Sequence, residues 1–266
     1  METIILFILA LFPTLILGYV IYEKDIIEKE PIGLLILLFV SGIAIIYPAM
    51  LLEQGIANVL TKVSMIFNIE NFEILTILEA FLEIALVEEG LKWLVVYNVT
   101  YRNKNFNHIY DGIVYAVFVS LGFATLENIL YVVNGGVYVA ILRGICSVPG
   151  HAFDGVVSGY FLGLAKYYGA NKERALQKNA IIEQENALYG ANIETPNYGE
   201  YENLKSLEKK SKILSIIVPL ILHGIFDFLL LMGQNNLLII FFIFVAVLYL
   251  IGIKMIQRQS SVLSMI

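Results

Sequence analysis

The run 74–97 is apolar and long enough to cross a lipid bilayer, yet its interior holds Glu88, Glu89 and Lys92. A hydrocarbon core of roughly 30 Å needs about 20 helical residues. An ionised side chain at that depth costs about 2.5–3.5 kcal/mol even on lenient insertion scales. Such residues persist only where they pair with something or do something. Glu88 and Lys92 are four apart, so they share a helical face in the favourable Glu-before-Lys order. Glu89 is turned about 100° from Glu88. One carboxylate can then be neutralised locally while the other faces a neighbouring helix.

The rest of the chain is written for the same environment. Of its 266 residues, 59% are hydrophobic and 15% charged, against about 25% charged in soluble domains, and the mean hydropathy is +0.78. The expected fold is all-α: a polytopic membrane helical bundle of about seven transmembrane helices. The spans are read at 4–22, 32–52, 74–97, 111–133, 137–168, 213–232 and 237–256. The segment 53–73 is mixed, with 59–63 suited to the interface. Pro149-Gly150 is expected to kink the fifth span. A single kinked crossing there leaves Lys24, Lys29, Arg102, Lys104, Lys166, Lys172, Arg174, Lys178, the 205–212 lysines, Lys254 and Arg258 on one side. Only Lys62 falls on the other. The positive-inside rule then puts the N-terminus outside and the C-terminus in the cytoplasm of a cell-membrane protein. The N-terminal segment lacks a basic region and a cleavage signal, and reads as a retained span. One domain, 1–266, is expected, with 169–212 as a cytoplasmic helical hairpin whose turn lies over 190–199. The lone Cys146 excludes an internal disulfide and a multi-cysteine metal site.

Polar residues recur at membrane depth on four spans: Glu88/Glu89/Lys92, Glu127/Asn128, Arg143, His151/Asp154 and His223/Asp227. His151 and Asp154 are three apart, and His223 and Asp227 four apart, so each imidazole has a carboxylate within reach on its own helix. A carboxylate so placed orients the ring and raises its basicity. If these groups converge, two glutamates and two histidines suit water activation. A glutamate takes a proton from water and returns it to a leaving amine, and a histidine or asparagine donates to the oxyanion. His-Glu-x-x-His is absent, and so is a recognisable serine–histidine motif. Arg143 reads as a partner for a carboxylate. Glu79 and Glu83 read as helix solvation, and His108 as inert. The same buried set would also serve a proton- or cation-coupled transporter or a non-catalytic binding protein, although no inverted repeat is evident.

Four motifs in order give a resemblance. Glu88-Glu89-Gly90-Leu91-Lys92 resembles the Glu-Glu-x-x-Lys motif of PrsW-type intramembrane proteases. Phe123-Ala124-Thr125-Leu126-Glu127-Asn128 resembles their Phe-x-x-x-Glu-Asn motif. His151 in Pro-Gly-His-Ala-Phe-Asp-Gly and His223 in His-Gly-Ile-Phe-Asp resemble the two later histidine motifs. That family is related to the CAAX-prenyl endopeptidases and Abi-type membrane proteins. The resemblance implies a multi-pass protease that cuts membrane-anchored, anti-sigma-factor-like substrates in regulated intramembrane proteolysis. It implies partners that are membrane proteins and lipid, not nucleic acid. It makes Glu88, Glu89, His151 and His223 the catalytic set, with Lys92, Glu127, Asn128, Arg143, Asp154 and Asp227 in support. Two glutamates and two histidines could ligate Zn²⁺, or the glutamate could act without a cofactor. The metal-free mechanism is the favoured expectation.

Overall fold

A backbone immersed in hydrocarbon must satisfy its own hydrogen bonds, and a helix does so within one segment. A computed structural model of the chain describes residues 2–189 and 194–261, and among them no strand forms. The helices are α1 (Glu2–Lys24), α2 (Ile32–Ala44), α3 (Ile46–Phe67), α4 (Phe72–Leu78), a π-helical segment (Glu79–Ala85), α5 (Leu86–Thr100), α6 (Asp111–Ile145), α7 (Ser147–Tyr189), α8 (Tyr198–Leu231) and α9 (Asn235–Ser260). Five described stretches are apolar and long enough to cross a membrane: Ile5–Lys24, Ile32–Phe67, Asp111–Tyr189, Tyr198–Leu231 and Leu237–Ser260. The continuous helix 72–100 is of spanning length but carries the acidic pair. The stretch from Asp111 doubles back at Gly136, where φ is 71°. With those two features the helices provide the expected crossings, and the chain is a multi-pass membrane protein.

Three local expectations are corrected. The fifth span is interrupted at its proline as expected, but the break is displaced upstream of Pro149-Gly150. The interruption lies at Cys146, with φ −108° and ψ −55°. Pro149 instead falls in the first turn of α7, where its missing N–H has no intrahelical partner to lose. The Tyr249 hydroxyl donates to the Ile145 carbonyl at this break. The second span is not one helix over 32–52. Pro48 cannot donate to the Ala44 carbonyl and its ring crowds it, so α2 ends there and α3 begins at Ile46. The segment 53–73 is helical through Phe67, ending where Asn68 adopts left-handed φ. Of the turn expected over 190–199, residues 190–193 lie outside the described residues. The polar stretches on either side continue α7 and α8 as helices, joined by Lys172–Glu208 at 2.8 Å.

α6 and α7 run antiparallel through the centre at backbone contact. A Cβ on Gly159 would overlap the Gly112 carbonyl, and one on Gly163 would overlap that of Ile109. Gly155, Gly159 and Gly163 thus form a stripe at four-residue spacing along α7, the small-residue device by which membrane helices approach without a water-driven hydrophobic force. Gly42 and Gly122 do the same between α2 and α6. At one end of the bundle Lys166 donates to the Tyr101 carbonyl at 2.6 Å. Lys212 stacks over the Tyr101 ring, and Asn107 donates to Glu28 at 3.1 Å. The loops and helix ends carrying Lys24, Lys29, Arg102, Lys104, Lys166, Lys172 and Lys212 therefore share one face.

Candidate active site

Four helices bring the polar residues together. The π-helical segment ends just before Glu88. Its extra residue re-phases the helix, so that the pair on α5 points inward rather than along the upstream acidic face of Glu79 and Glu83. Lys92 lies one turn on and is the centre of the cluster. Its Nζ donates to Glu88 Oε2 at 2.9 Å and to Glu89 Oε1 at 2.8 Å. It also stands 3.2 Å from His151 Nδ1 and 4.2 Å above the Phe123 ring. Lys92 is 3% exposed, Glu88 6% and Glu89 3%. An ammonium has only donors, so His151 Nδ1 must accept. Nε2 then carries the proton and donates to Glu127 Oε2 at 2.7 Å. Two neighbours thereby set the tautomer of His151.

His223, on α8, faces a carboxylate from each ring nitrogen. Nδ1 is 2.9 Å from Glu89 Oε1 and 3.4 Å from Asp154 Oδ2. Nε2 is 3.1 Å from Asp227 Oδ2 and 3.8 Å from Glu88 Oε2. The contact with Asp227 lacks hydrogen-bond alignment, so it is an ion-pair approach and not a fixed bond. The two imidazole rings are 5.2 Å apart between centroids. Arg143 reaches back along α6 to Glu127 Oε2 at 2.9 Å and to Asn128 Oδ1 at 3.2 Å, with its guanidinium over Tyr131. It can do this only because Gly136 turns the chain on itself.

These groups border a cavity of about 790 Å³. Glu88, Glu127, Arg143, His151, Asp154, His223 and Asp227 are on its wall, whereas Glu89, Lys92 and Asn128 lie behind it. The adjacent glutamates both bond Lys92 but are otherwise distinguished: Glu88 faces the cavity, and Glu89 bonds His223 behind it. Apolar wall comes from Ile46 and Met50 of α3, Ile84, and Leu130 of α6.

The expected pairing of His223 with Asp227 and of Glu88 with Lys92 is present. That of His151 with Asp154 is not. Asp154 turns to His223, and His151 takes its carboxylate, Glu127, from α6. Spacing along one helix shows which partners are reachable, and the neighbouring helix decides between them. Asn128 is fully buried, bonded to Arg143 and to the Ala10 carbonyl, so it braces Arg143 without meeting the cavity. Sequence reasoning missed Glu53, which lines the cavity from α3. The spacing of Ile46, Ala49, Glu53 and Ile56 on one helical face was the available signal. It also missed Ser147 and Tyr131, for which no motif exists.

The donor atoms of Glu88, Glu89, His151 and His223 lie within 4.8 Å of one another. In type and spacing they suit Zn²⁺. The same volume is shared with the Lys92 ammonium, 2.8–3.2 Å from three of those residues.

Comparison with known proteins agrees with this arrangement. The family described as PrsW family intramembrane metalloprotease matches residues 30–182, which include the Glu-Glu pair, Glu127 and His151. Protease PrsW of Oceanobacillus iheyensis is 34% identical over 249 residues, covering 94% of this chain and 93% of its own. Protease PrsW of Geobacillus kaustophilus is 33% identical over 214 residues, covering 80% and 74%. That of Bacillus subtilis is 31% identical over 241 residues, covering 91% and 89%. No solved structure matches the chain. The chain belongs to the PrsW family of intramembrane proteases.

Proposed function

We propose that this protease hydrolyses a peptide bond of a membrane-anchored protein, of the anti-sigma-factor kind, with water activated by Glu88. The observation that carries this reading is the Lys92-centred cluster of Glu88, Glu89, His151 and His223 opening on the cavity between α3, α6, α7 and α8. The cavity pairs apolar wall with a polar floor, suited to an unwound transmembrane segment whose scissile carbonyl must meet water.

Glu88 takes the proton as the water oxygen bonds to the carbonyl carbon. The carbonyl π electrons move to oxygen. Glu88 then returns the proton to the amide nitrogen as the C–N bond breaks, leaving a carboxyl group and an amine. Lys92 holds Glu88 in place and Glu89 balances Lys92. Both nitrogens of His151 are committed, to Lys92 and to Glu127. His223 is therefore the oxyanion donor on the wall, since its contact with Asp227 is unaligned and free to yield. Arg143 neutralises Glu127.

The family description implies a metal. Zn²⁺ held by Glu88, Glu89, His151 and His223 would polarise the water. Ligand distances of about 2.0–2.2 Å leave no room for the Lys92 ammonium where it stands, so the metal does not fit the site with Lys92 in place. On this reading Lys92 is the cation of the site and Glu88 activates the water without a metal. The test is cleavage of a single-span substrate in proteoliposomes, wild type against Glu88→Gln, before and after exhaustive chelation with metal content measured. Loss in Glu88→Gln with retention after chelation is expected. Activity lost with the metal and restored by Zn²⁺ would overturn the metal-free step. Full activity in Glu88→Gln would overturn the site.

The lysine- and arginine-bearing end of the bundle is the cytoplasmic one by the positive-inside rule. On this reading the N-terminus is outside, the C-terminus inside and the 169–212 hairpin in the cytoplasm, within a single domain. Cysteine-accessibility labelling of residues added at either end checks it.

A further inference from the structure

A second group of acids lies at the basic end, away from the cavity. Asp25 and Glu30 come from the α1–α2 loop and Asp111 from the start of α6. One carboxylate oxygen of each lies within 4.8 Å of the others. They are 3%, 3% and 0% exposed. Among the described residues no cationic nitrogen comes within 4.0 Å of any of them. The nearby Lys29 is drawn away to the Tyr22 carbonyl at 2.6 Å and to Glu23 at 4.0 Å.

Their hydrogen bonds account for only part of their oxygens. Asp111 Oδ2 accepts from the backbone of Asn107 at 2.9 Å and of His108 at 2.7 Å. Glu30 Oε2 accepts from the Tyr115 hydroxyl. Asp111 Oδ1 and Asp25 Oδ2 are buried with no partner, as is the side-chain carbonyl of Asn107 next to them in the network. Buried polar atoms are nearly always paired. Two unpaired acceptor oxygens among three clustered acids ask for a positive charge, and among the described residues no cationic side chain supplies one.

We propose that Asp25, Glu30 and Asp111 form a site for a hard divalent cation, of the calcium type, that clamps the α1–α2 loop to the head of α6. The donor set is all oxygen, with carboxylates and a nearby amide carbonyl, which Ca²⁺ prefers and Zn²⁺ does not. The site is structural. It lies at the head of α6, roughly four helical turns before Glu127, and shares no residue with the Lys92-centred cluster.

Terbium is the probe, because Tyr115 bonds Glu30 directly and can sensitise its emission. The purified full-length protein, freed of metal in detergent micelles, is titrated with Tb³⁺ under tyrosine excitation and then with Ca²⁺. Saturable emission displaced by Ca²⁺ is expected. It should fall at least tenfold in Asp25→Asn and in Glu30→Gln, and persist in the Glu88→Gln/His223→Gln variant. Ca²⁺ should raise the melting temperature of the wild type and of Glu88→Gln/His223→Gln but not of Asp25→Asn. Emission lost in Glu88→Gln/His223→Gln but kept in Asp25→Asn assigns the ion to the proteolytic cluster and overturns the proposal. No saturable emission in a folded wild type means that the three acids are held by shared protons, and also overturns it.

Discussion

Replacing Lys92 by methionine isolates what holds the buried polar cluster together. Methionine keeps most of the side chain's volume and removes its charge. Glu88 and Glu89 are then left buried, without the ammonium that now stands 2.9 and 2.8 Å away. Hydrogen bonds between membrane helices are individually weak, about 0.6 kcal/mol on average. The loss here is of another kind, because an uncompensated charge remains in a low-dielectric place. Breaking one side of a buried pair costs about 3–5 kcal/mol. At about 2–4 °C per kcal/mol for a chain of this size, the melting temperature should drop by about 6–20 °C. The single tryptophan is a local reporter: Trp93 follows Lys92, stacks on Tyr97 at 4.7 Å and donates to Ser215. Its emission during heating of the full-length chain in micelles gives the transition. Adding Glu89→Gln to Lys92→Met removes one negative charge along with the positive one, and should recover about half of the loss, since contacting residues couple. A single variant that melts within about 2 °C of wild type would mean a hydrated site in which Lys92 is not the counter-ion. Additive losses in the double variant would refute the charge-balance argument.

Glu88→Gln should lower cleavage about 10²–10⁴-fold with an unchanged melting temperature, read by single-turnover cleavage beside the thermal scan. Asp154 and Asp227 both approach His223, so either Asn substitution alone should reduce cleavage modestly. The pair should lose more than the product of the two, by a coupling of about 0.5–3 kcal/mol, measured as a double-mutant cycle in kcat/KM. Gly159→Leu must push α6 from α7, since even a Cβ overlaps the Gly112 carbonyl. It should cost more than the roughly 1–3 kcal/mol of ordinary overpacking. Gly55→Ala, where nothing lies within 4 Å of the added carbon, should be neutral or gain up to about 1 kcal/mol of helix propensity. Melting temperatures of the two variants provide the comparison.

What could be read from the sequence divides along a physical line. Membrane class, span positions and membership of the buried set follow from hydropathy and from the cost of charge in lipid, both properties of a local window. They therefore survive without knowledge of the neighbours. The partner of each side chain is a property of two helices at once. His151 shows this most plainly: Asp154 is available three residues on, but Glu127 wins because α6 and α7 meet at glycine contact and bring that carboxylate within 2.7 Å. The glycine stripe Gly155, Gly159, Gly163 was visible in the sequence, and it decides how close those helices come. Backbone breaks behave alike. Pro48 and Pro149 have the same chemistry and the same place: each is the third residue of a helix and lies four residues after the last residue of the helix before, so each break falls upstream of its proline, at Ile45 and at Cys146. The division of labour between Glu88 and Glu89 is likewise absent from their identical chemistry. It arises one turn upstream, where the π-helical segment sets which of them looks into the cavity and which bonds His223 behind it. Straightening that segment by deleting one residue between Glu79 and Ala85 would rotate the pair by about 100°. Cleavage should then fail even though every motif residue is retained.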